Sequence, residues 1–282
     1  MRIRTEPEVE IVSAPVYLGD NEKFPLPDVE GFRDGGFDAG AHAIMLGSRA
    51  AKGCYDSFGE DGRACEANQR AILDHKHGSG LEHINIGLWI EGITRALSIE
   101  LNRHRHFAIS QRSTRYTDEE DPEIVLEPFY AEVFKDMGNP LRQFAPRNGE
   151  GNISDRDWKV WRALHSHLRA AKDDIAEYSV QVDRLMELTD KEGTEARKWA
   201  RGKARNSLPH NLATCGTWTA NIRSWRWILE ARSNRHAADE IRRLTGEYIF
   251  PALKRVAPLY FEDFEVEMID GLPELQPEHS KV

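Results

Sequence analysis

The chain has 282 residues, 40% of them hydrophobic and 30% charged, with a formal net charge of −9 at pH 7. This composition suits one large or two small globular domains with a sizeable core. It contains neither an apolar signal core near residue 1 nor a run of about 18 apolar residues, so we expect a soluble cytoplasmic protein without a membrane span.

The first third of the chain predicts alternating strands and helices. The expected elements are a strand at 9–18, helices at 37–55 and 62–76, a strand at 84–91 and a helix at 93–101. Apolar residues alternate from Ile84 to Ile90, which is typical of a strand with one buried face. Gly92 is expected to end that strand.

The middle of the chain predicts a short strand at Glu123–Leu126 and an exposed insertion at Lys135–Asp155, where prolines, glycines and amides show no periodicity. A long helix follows, because apolar residues recur three and four positions apart. They are Trp161, Leu164, Leu168, Ala171, Ile175, Tyr178, Val182 and Leu185. We expect this stripe to pack in the core or against another subunit.

The last third predicts a strand at 211–222, helices at 223–232 and 237–248, the second ended by Pro251, and a final strand at 258–264. Strands and helices interleave without regular βαβ spacing, which favours an α+β fold over a doubly wound sheet. We therefore expect one catalytic domain over residues 1–270, with the insertion at 135–155, and a flexible tail at 271–282.

The window from Arg95 to Tyr116 holds five arginines and one acid, Glu100, and so carries +4, whereas the rest of the chain carries −13. A basic patch on an acidic chain points to a small anion such as a phosphate. A nucleic acid would require basic charge spread over a wide face. We therefore expect no nucleic-acid partner.

The centre of this window is Arg103-His104-Arg105, followed by Ser113 and Arg115. Guanidinium groups bind phosphate oxygens bidentately and stay charged at any working pH. A solvated helix end is the alternative for such a motif taken alone. Further arginines recur downstream at Arg205, Arg223 and Arg232, which on their own read as ordinary ion-pair residues, and His236 follows Arg232 by four positions.

Other chemistries have weak support. The pairs His75/His77, His104/His106 and His165/His167 have HxH spacing, but their flanking residues are mostly cationic, so we expect no metal site. Cys54, Cys65 and Cys215 form neither a CxxC pair nor a disulfide framework. The sequence has no P-loop, GxGxxG or GxSxG motif. Catalysis by a protein nucleophile is therefore not expected.

Four blocks in order resemble the flavin-dependent thymidylate synthases. The first is RHRHFAISQRSTRY, which contains the family signature RHR, seven residues and Ser. ARNSLP, NIRSWRWILEAR and HAADEIR follow in the family's order. The resemblance covers roughly residues 40–242. It implies a mixed sheet with long helices, a homotetramer with active sites shared between subunits, and FAD, methylenetetrahydrofolate, NADPH and a uridine 5′-monophosphate nucleotide as ligands.

Position by position, the resemblance implies two sets of site residues. The flavin set is His77, Ser79, Arg103, His104, Arg105, Gln111, Asn221, Arg223, Trp227 and His236. The nucleotide set is Glu100, Arg103, Gln111, Arg112, Ser113, Thr114, Arg115, Arg205 and Arg232. Arg232 matches the catalytic cation that favours ionisation at the pyrimidine N3.

Two positions depart from the family pattern. Glu100 stands where the family generally has Gln, and Trp227 where it has His or Asn. A carboxylate accepts hydrogen bonds but cannot donate them, which would suit an additional sugar hydroxyl. We therefore expect C5 methylation of UMP as well as dUMP, as in nucleoside-antibiotic biosynthesis. A uridylate hydroxymethylase and a non-catalytic flavin- or nucleotide-binding protein are the alternatives.

Overall fold

The structure is a computed structural model that describes residues 1–19, 37–58, 62–142 and 154–282. The chain divides into two compact units. Unit 1 comprises residues 1–7, 91–101 and 111–216, and unit 2 comprises residues 8–90, 102–110 and 217–282. Helices and strands are mixed in this fold, as the α+β prediction expects.

The strands are β1 (Arg2–Arg4), β2 (Glu8–Ser13), β3 (Asn85–Thr94), β4 (Ala108–Gln111), β5 (Glu123–Val125), β6 (Ala213–Asn221), β7 (Phe264–Ile269) and β8 (Leu272–Pro277). The helices are α1 (Ala39–Cys54), α2 (Cys65–Asp74), α3 (Arg95–Asn102), α4 (Pro128–Met137), α5 (Asp155–Glu187), α6 (Gly193–Ala204), α7 (Ile222–Arg232), α8 (Asp239–Arg243) and α9 (Phe250–Val256).

The four-stranded sheet has the strand order β2-β3-β6-β4. As the alternation predicts, Ile86, Leu88 and Ile90 of β3 are fully buried. The expected end at Gly92 is wrong, because β3 continues to Thr94. Gly92 has a φ of +73°, which glycine adopts without steric cost, so the strand passes through it.

In unit 1, helix α5 buries the predicted stripe. Seven of its eight residues, from Trp161 to Val182, are buried, and Leu185 is partly buried. Leu164, Leu168 and Ile175 pack with Ile124 of β5 in one core cluster, so the stripe faces the core of its own unit. Ser154 caps the helix by accepting from Asp157 N at 3.0 Å. The short strands β1 and β5 pair in parallel.

The structure of unit 2 contradicts three predictions for the last part of the chain. Pro251 does not end a helix; it lies at the start of α9, which continues directly from the π-helical turn Leu244–Ile249. The strand predicted at 258–264 is also wrong, because Pro258–Tyr260 is a 3₁₀ turn and β7 begins only at Phe264. The flexible tail is also wrong, because β8 pairs antiparallel with β7 and buries Leu275.

The insertion predicted at 135–155 lies mostly outside the described residues. Of its described residues, 135–137 are the end of α4, a helix that the sequence reading missed, and 154–155 are the N-cap and first residue of α5. Within the described ranges, no helix combines the length and apolar character needed to cross a membrane.

Candidate functional site

Unit 2 contains an open pocket of about 690 Å³, a size usual for small-molecule and cofactor sites. Its lining combines cationic, polar and apolar side chains. It comprises Glu82, Arg103, His104, Arg105, His106, Asn221, Arg223, Ser224, Trp227, Ile228, Lys281 and Val282. Six of the ten predicted flavin residues therefore lie together in one pocket.

Helix α7 builds one wall of this pocket. Asn221 caps the helix by accepting from Ser224 N at 2.8 Å, so the positive end of the helix dipole faces the pocket. Arg223 and Trp227, four residues apart, share one helix face, and the Trp227 side chain is 48% exposed. On the opposite face, Trp225 is fully buried and donates to Ile86 O at 3.0 Å. The wall therefore presents a cation and an indole from a fixed helix.

The turn between α3 and β4 supplies Arg103, His104 and Arg105. Arg232 Nε donates to His104 Nε2 at 2.9 Å, which requires that nitrogen to be unprotonated. Burial and the Arg232 charge lower the His104 pKa to about 4. At neutral pH His104 is therefore an uncharged acceptor that orients the Arg232 guanidinium.

The 3₁₀ turn Gly78–His83 lies beside Arg223. A Cβ placed on Gly78 would be 2.7 Å from the backbone carbonyl carbon of Val282 and 2.8 Å from Arg223 Nε, so a larger residue would force the backbone at Val282 to shift. Arg223 Nη1 also pairs with Glu82 at 2.6 Å. The predicted flavin residues His77 and Ser79 flank Gly78 with exposed side chains, although neither lines the pocket.

His236 is exposed and also lies outside the pocket lining. Its N–H bonds to Asn234 Oδ1 at 3.0 Å in the turn after α7. The structure thus does not bring His236, His77 or Ser79 into this pocket.

The remaining predicted nucleotide residues lie in unit 1. Gln111 Nε2 donates to Ser98 Oγ at 2.9 Å and to Thr214 Oγ1 at 3.1 Å. The Ser113 carbonyl accepts from Thr117 Oγ1 at 2.8 Å, which closes a turn that contains the buried Thr114. Arg115 and Arg205 are exposed, and Glu100 is half-buried on α3.

Unit 1 also contains two charged residues near the predicted nucleotide residues, Glu119 and Arg95, that sequence reasoning did not single out. Arg112 pairs with Glu119 at 3.1 Å, and Glu119 is 1% exposed. Burial raises the Glu119 pKa, against the opposing charge of Arg112. Burial lowers the Arg95 pKa, and the charges of Arg205 and Arg112 lower it further. Arg95 therefore lies close enough to Arg112 and Arg205, two residues predicted to bind phosphate, for their charges to act on it. In the sequence, it is marked only by its position at the start of the basic window.

The His104 pKa predicts a pH-dependent stability. An unfolded histidine titrates near its ordinary value of 6.5, so between pH 6.5 and about 4 the unfolded chain binds more protons. The stabilisation is complete above pH 6.5 and is lost as pH falls toward 4. Urea unfolding at pH of about 7 and about 5 should show a loss of about 1–2 kcal/mol from this group after solvent screening.

His104→Asn removes the titrating group and should make the unfolding free energy less sensitive to pH over the same range. Equal pH dependence in the variant and the parent protein would contradict the assignment. A His104 resonance that titrates near pH 6.5 would do the same.

The chain has extensive similarity to known proteins. The family model described as "Thymidylate synthase complementing protein" matches residues 42–259. The flavin-dependent thymidylate synthase of Mycolicibacterium gilvum is 35% identical over 251 residues, covering 87% of each chain. The Mycobacterium tuberculosis H37Rv enzyme of the same name is 34% identical over 249 residues, again covering 87% of each. The chain belongs to this family.

Solved structures also resemble this flavin-dependent thymidylate synthase family member. The UMP/dUMP methylase PolB of Streptomyces cacaoi, bound with 5-Br UMP, aligns with a TM-score of 0.59 at 19% identity and covers 93% of this chain and 95% of PolB. The complex with 5-Br dUMP gives a TM-score of 0.60 at 18% identity, covering 93% and 96%. At this identity the likeness establishes a shared fold.

Proposed function

We propose that the protein methylates C5 of a uridine 5′-monophosphate nucleotide. The C5 hydrogen is replaced by a methyl group whose carbon comes from methylenetetrahydrofolate, and NADPH supplies the reducing electrons through FAD. The observation that carries the proposal is the unit 2 pocket, where Arg103, Arg105, Arg223, Trp227 and the dipole of α7 converge. Family membership adds independent support.

The pocket residues fit a flavin dinucleotide. Arg103, Arg105 and the N-terminus of α7 provide charge and N–H donors for phosphate oxygens. Trp227 offers an aromatic face against which a planar ring can stack. When bound, the flavin would supply hydride chemistry.

The protein's own contribution lies in electrostatics. Arg232 carries a permanent positive charge, and His104 holds its guanidinium plane through Nε. A cation aimed at the pyrimidine stabilises negative charge as it develops on the base and so raises the reactivity of C5. Burial raises the Cys215 pKa, which keeps that thiol protonated and agrees with a reaction without a cysteine nucleophile.

We also propose that the substrate range includes UMP. Glu100 is half-buried on α3, and its carboxylate accepts hydrogen bonds that a ribose 2′-hydroxyl can donate. PolB, which shares the fold, is described as a UMP/dUMP methylase. Arg112, Ser113, Arg115 and Arg205 of unit 1 would bind the phosphate. Homotetramer assembly with shared active sites remains part of this proposal.

Purified protein, reconstituted with FAD, should be yellow and should bleach on addition of NADPH. With methylenetetrahydrofolate it should convert both dUMP and UMP to products heavier by one methylene unit. A product heavier by a further oxygen would identify a hydroxymethylase instead. Strict dUMP preference would reject the UMP proposal alone, whereas a colourless protein or a flavoprotein without turnover would reject the enzymatic assignment.

A further inference from the structure

The residues after the family match also contribute to the pocket. The matched region ends at residue 259, yet Lys281 and Val282 line the cavity that holds the predicted flavin residues. They follow the β7–β8 hairpin in a segment, residues 278–282, that lies against helix α7. This wall of the pocket therefore lies outside the region that the family model matches.

Glu230 of α7 fixes this segment with both carboxylate oxygens. Ser280 Oγ donates to Glu230 Oε1 at 2.5 Å, and Lys281 N donates to Glu230 Oε2 at 3.2 Å. Lys281 has a φ of +59°, in the left-handed region that lysine rarely adopts. A single residue persists there when its surroundings determine its conformation, and the bonds to Glu230 do so here.

The charge of the pocket indicates which kind of ligand Lys281 can contact. Its side chain is exposed, and its ammonium group has no hydrogen-bond or ion-pair partner in the part of the chain that the structure describes. Arg103 and Arg105 share the pocket, whereas Glu82, the one acid among the described lining residues, already pairs with Arg223. The pocket therefore has excess positive charge and suits an anionic ligand.

We infer that Lys281 contacts a phosphate of the flavin dinucleotide and that Glu230 is the positioning residue for this contact. The inference rests on the proposed flavin function of the pocket. The same phosphate chemistry occurs in nicotinamide and uridine nucleotides, and the flavin is favoured because Lys281 shares a cavity with six predicted flavin residues. Lys281 adds a positive charge from outside the matched region to cofactor binding.

The test compares FAD and riboflavin binding to the full chain by fluorescence titration. Lys281→Gly removes the charge and relieves the left-handed backbone, so folding should be preserved. It should weaken FAD binding about tenfold, in line with loss of one charge-assisted hydrogen bond, and change riboflavin binding less than about twofold. Lys281→Arg should restore FAD affinity. Lys254→Ala, an exposed lysine on α9 outside the pocket lining, is the matched control.

Glu230→Gln should weaken FAD binding in the parent chain but should add nothing in a Lys281→Gly background, because both changes remove one contact. FAD affinity in Lys281→Gly within twofold of the parent would overturn the inference, and so would equal losses for FAD and riboflavin. If the parent chain binds neither flavin, the proposed function itself fails. The two failures are thus distinguishable.

Discussion

Replacing Arg232 with Met should lower kcat for uridylate methylation roughly 10²–10³-fold while the protein stays folded and yellow. Methionine keeps much of the side-chain volume but removes the charge that stabilises the ionising base, and one preorganised charge of this kind contributes about that factor. Arg232→Lys keeps the charge but loses the planar fork that His104 orients, so it should still lose about tenfold. Steady-state turnover with saturating nucleotide measures both effects.

A spectroscopic readout separates catalysis from loss of structure. Burial and the Arg232 charge, in that order, lower the His104 pKa, so Arg232→Met should raise it only part of the way toward 6.5. Arg255→Ala, an exposed arginine of the same unit, should change neither the kcat nor the His104 pKa. Turnover of Arg232→Met within threefold of the parent would contradict the catalytic role.

The sequence predicted the parts of the fold that depend on local periodicity. The α5 stripe is set by 3.6-residue spacing, and β3 by alternation, so both could be identified without tertiary information. The end of β3 could not, because Gly92 either breaks a strand or continues it in a left-handed conformation. Whether the strand stops or continues at Gly92 depends on pairing with strands that are distant in sequence.

The candidate site, like the fold, has a part that local sequence motifs identify and a part that depends on tertiary contacts. The RHR signature and the α7 block each form a contiguous stretch of sequence, and six residues of the two blocks line one pocket: Arg103, His104, Arg105, Asn221, Arg223 and Trp227. Lys281 was missed, since the last residues were expected to be flexible. The conformation of these last residues is fixed by tertiary contacts with Glu230 and Arg226, which no local sequence pattern reveals. The nucleotide residues of unit 1 remain a prediction.

Taken alone, Arg223 and Arg232 of α7 are predicted to be ordinary ion-pair residues, and the sequence analysis does not single out Arg226. The buried arginine of α7 is Arg226, 3% exposed, which forms a two-pronged ion pair with Asp263 at 2.6 and 2.8 Å. It also donates to Tyr260 O and to His279 O. Periodicity could have shown this, since Arg226 shares the buried face of α7 with Trp225 and Leu229.

Arg226→Met should therefore lower the free energy of unfolding by about 3–5 kcal/mol, because it leaves Asp263 buried without its partner. Calorimetric Tm and urea unfolding measure the loss. Burial raises the Asp263 pKa, but the hydrogen bond and charge of Arg226 outweigh it, and the net pKa lies below 3.8. The pair's stabilisation is thus complete above about pH 4 and is lost as pH falls further.

Arg226→Met with Asp263→Leu should recover much of this loss, since replacing both members of a buried pair removes the unpaired charge. The double variant still lacks the bond from Arg226 to His279 O, which holds the segment carrying Lys281. We therefore expect it to regain stability but to bind FAD more weakly than the parent chain. Full recovery of both properties would mean that Glu230 alone fixes the segment, whereas no recovery of stability would contradict the ion-pair explanation.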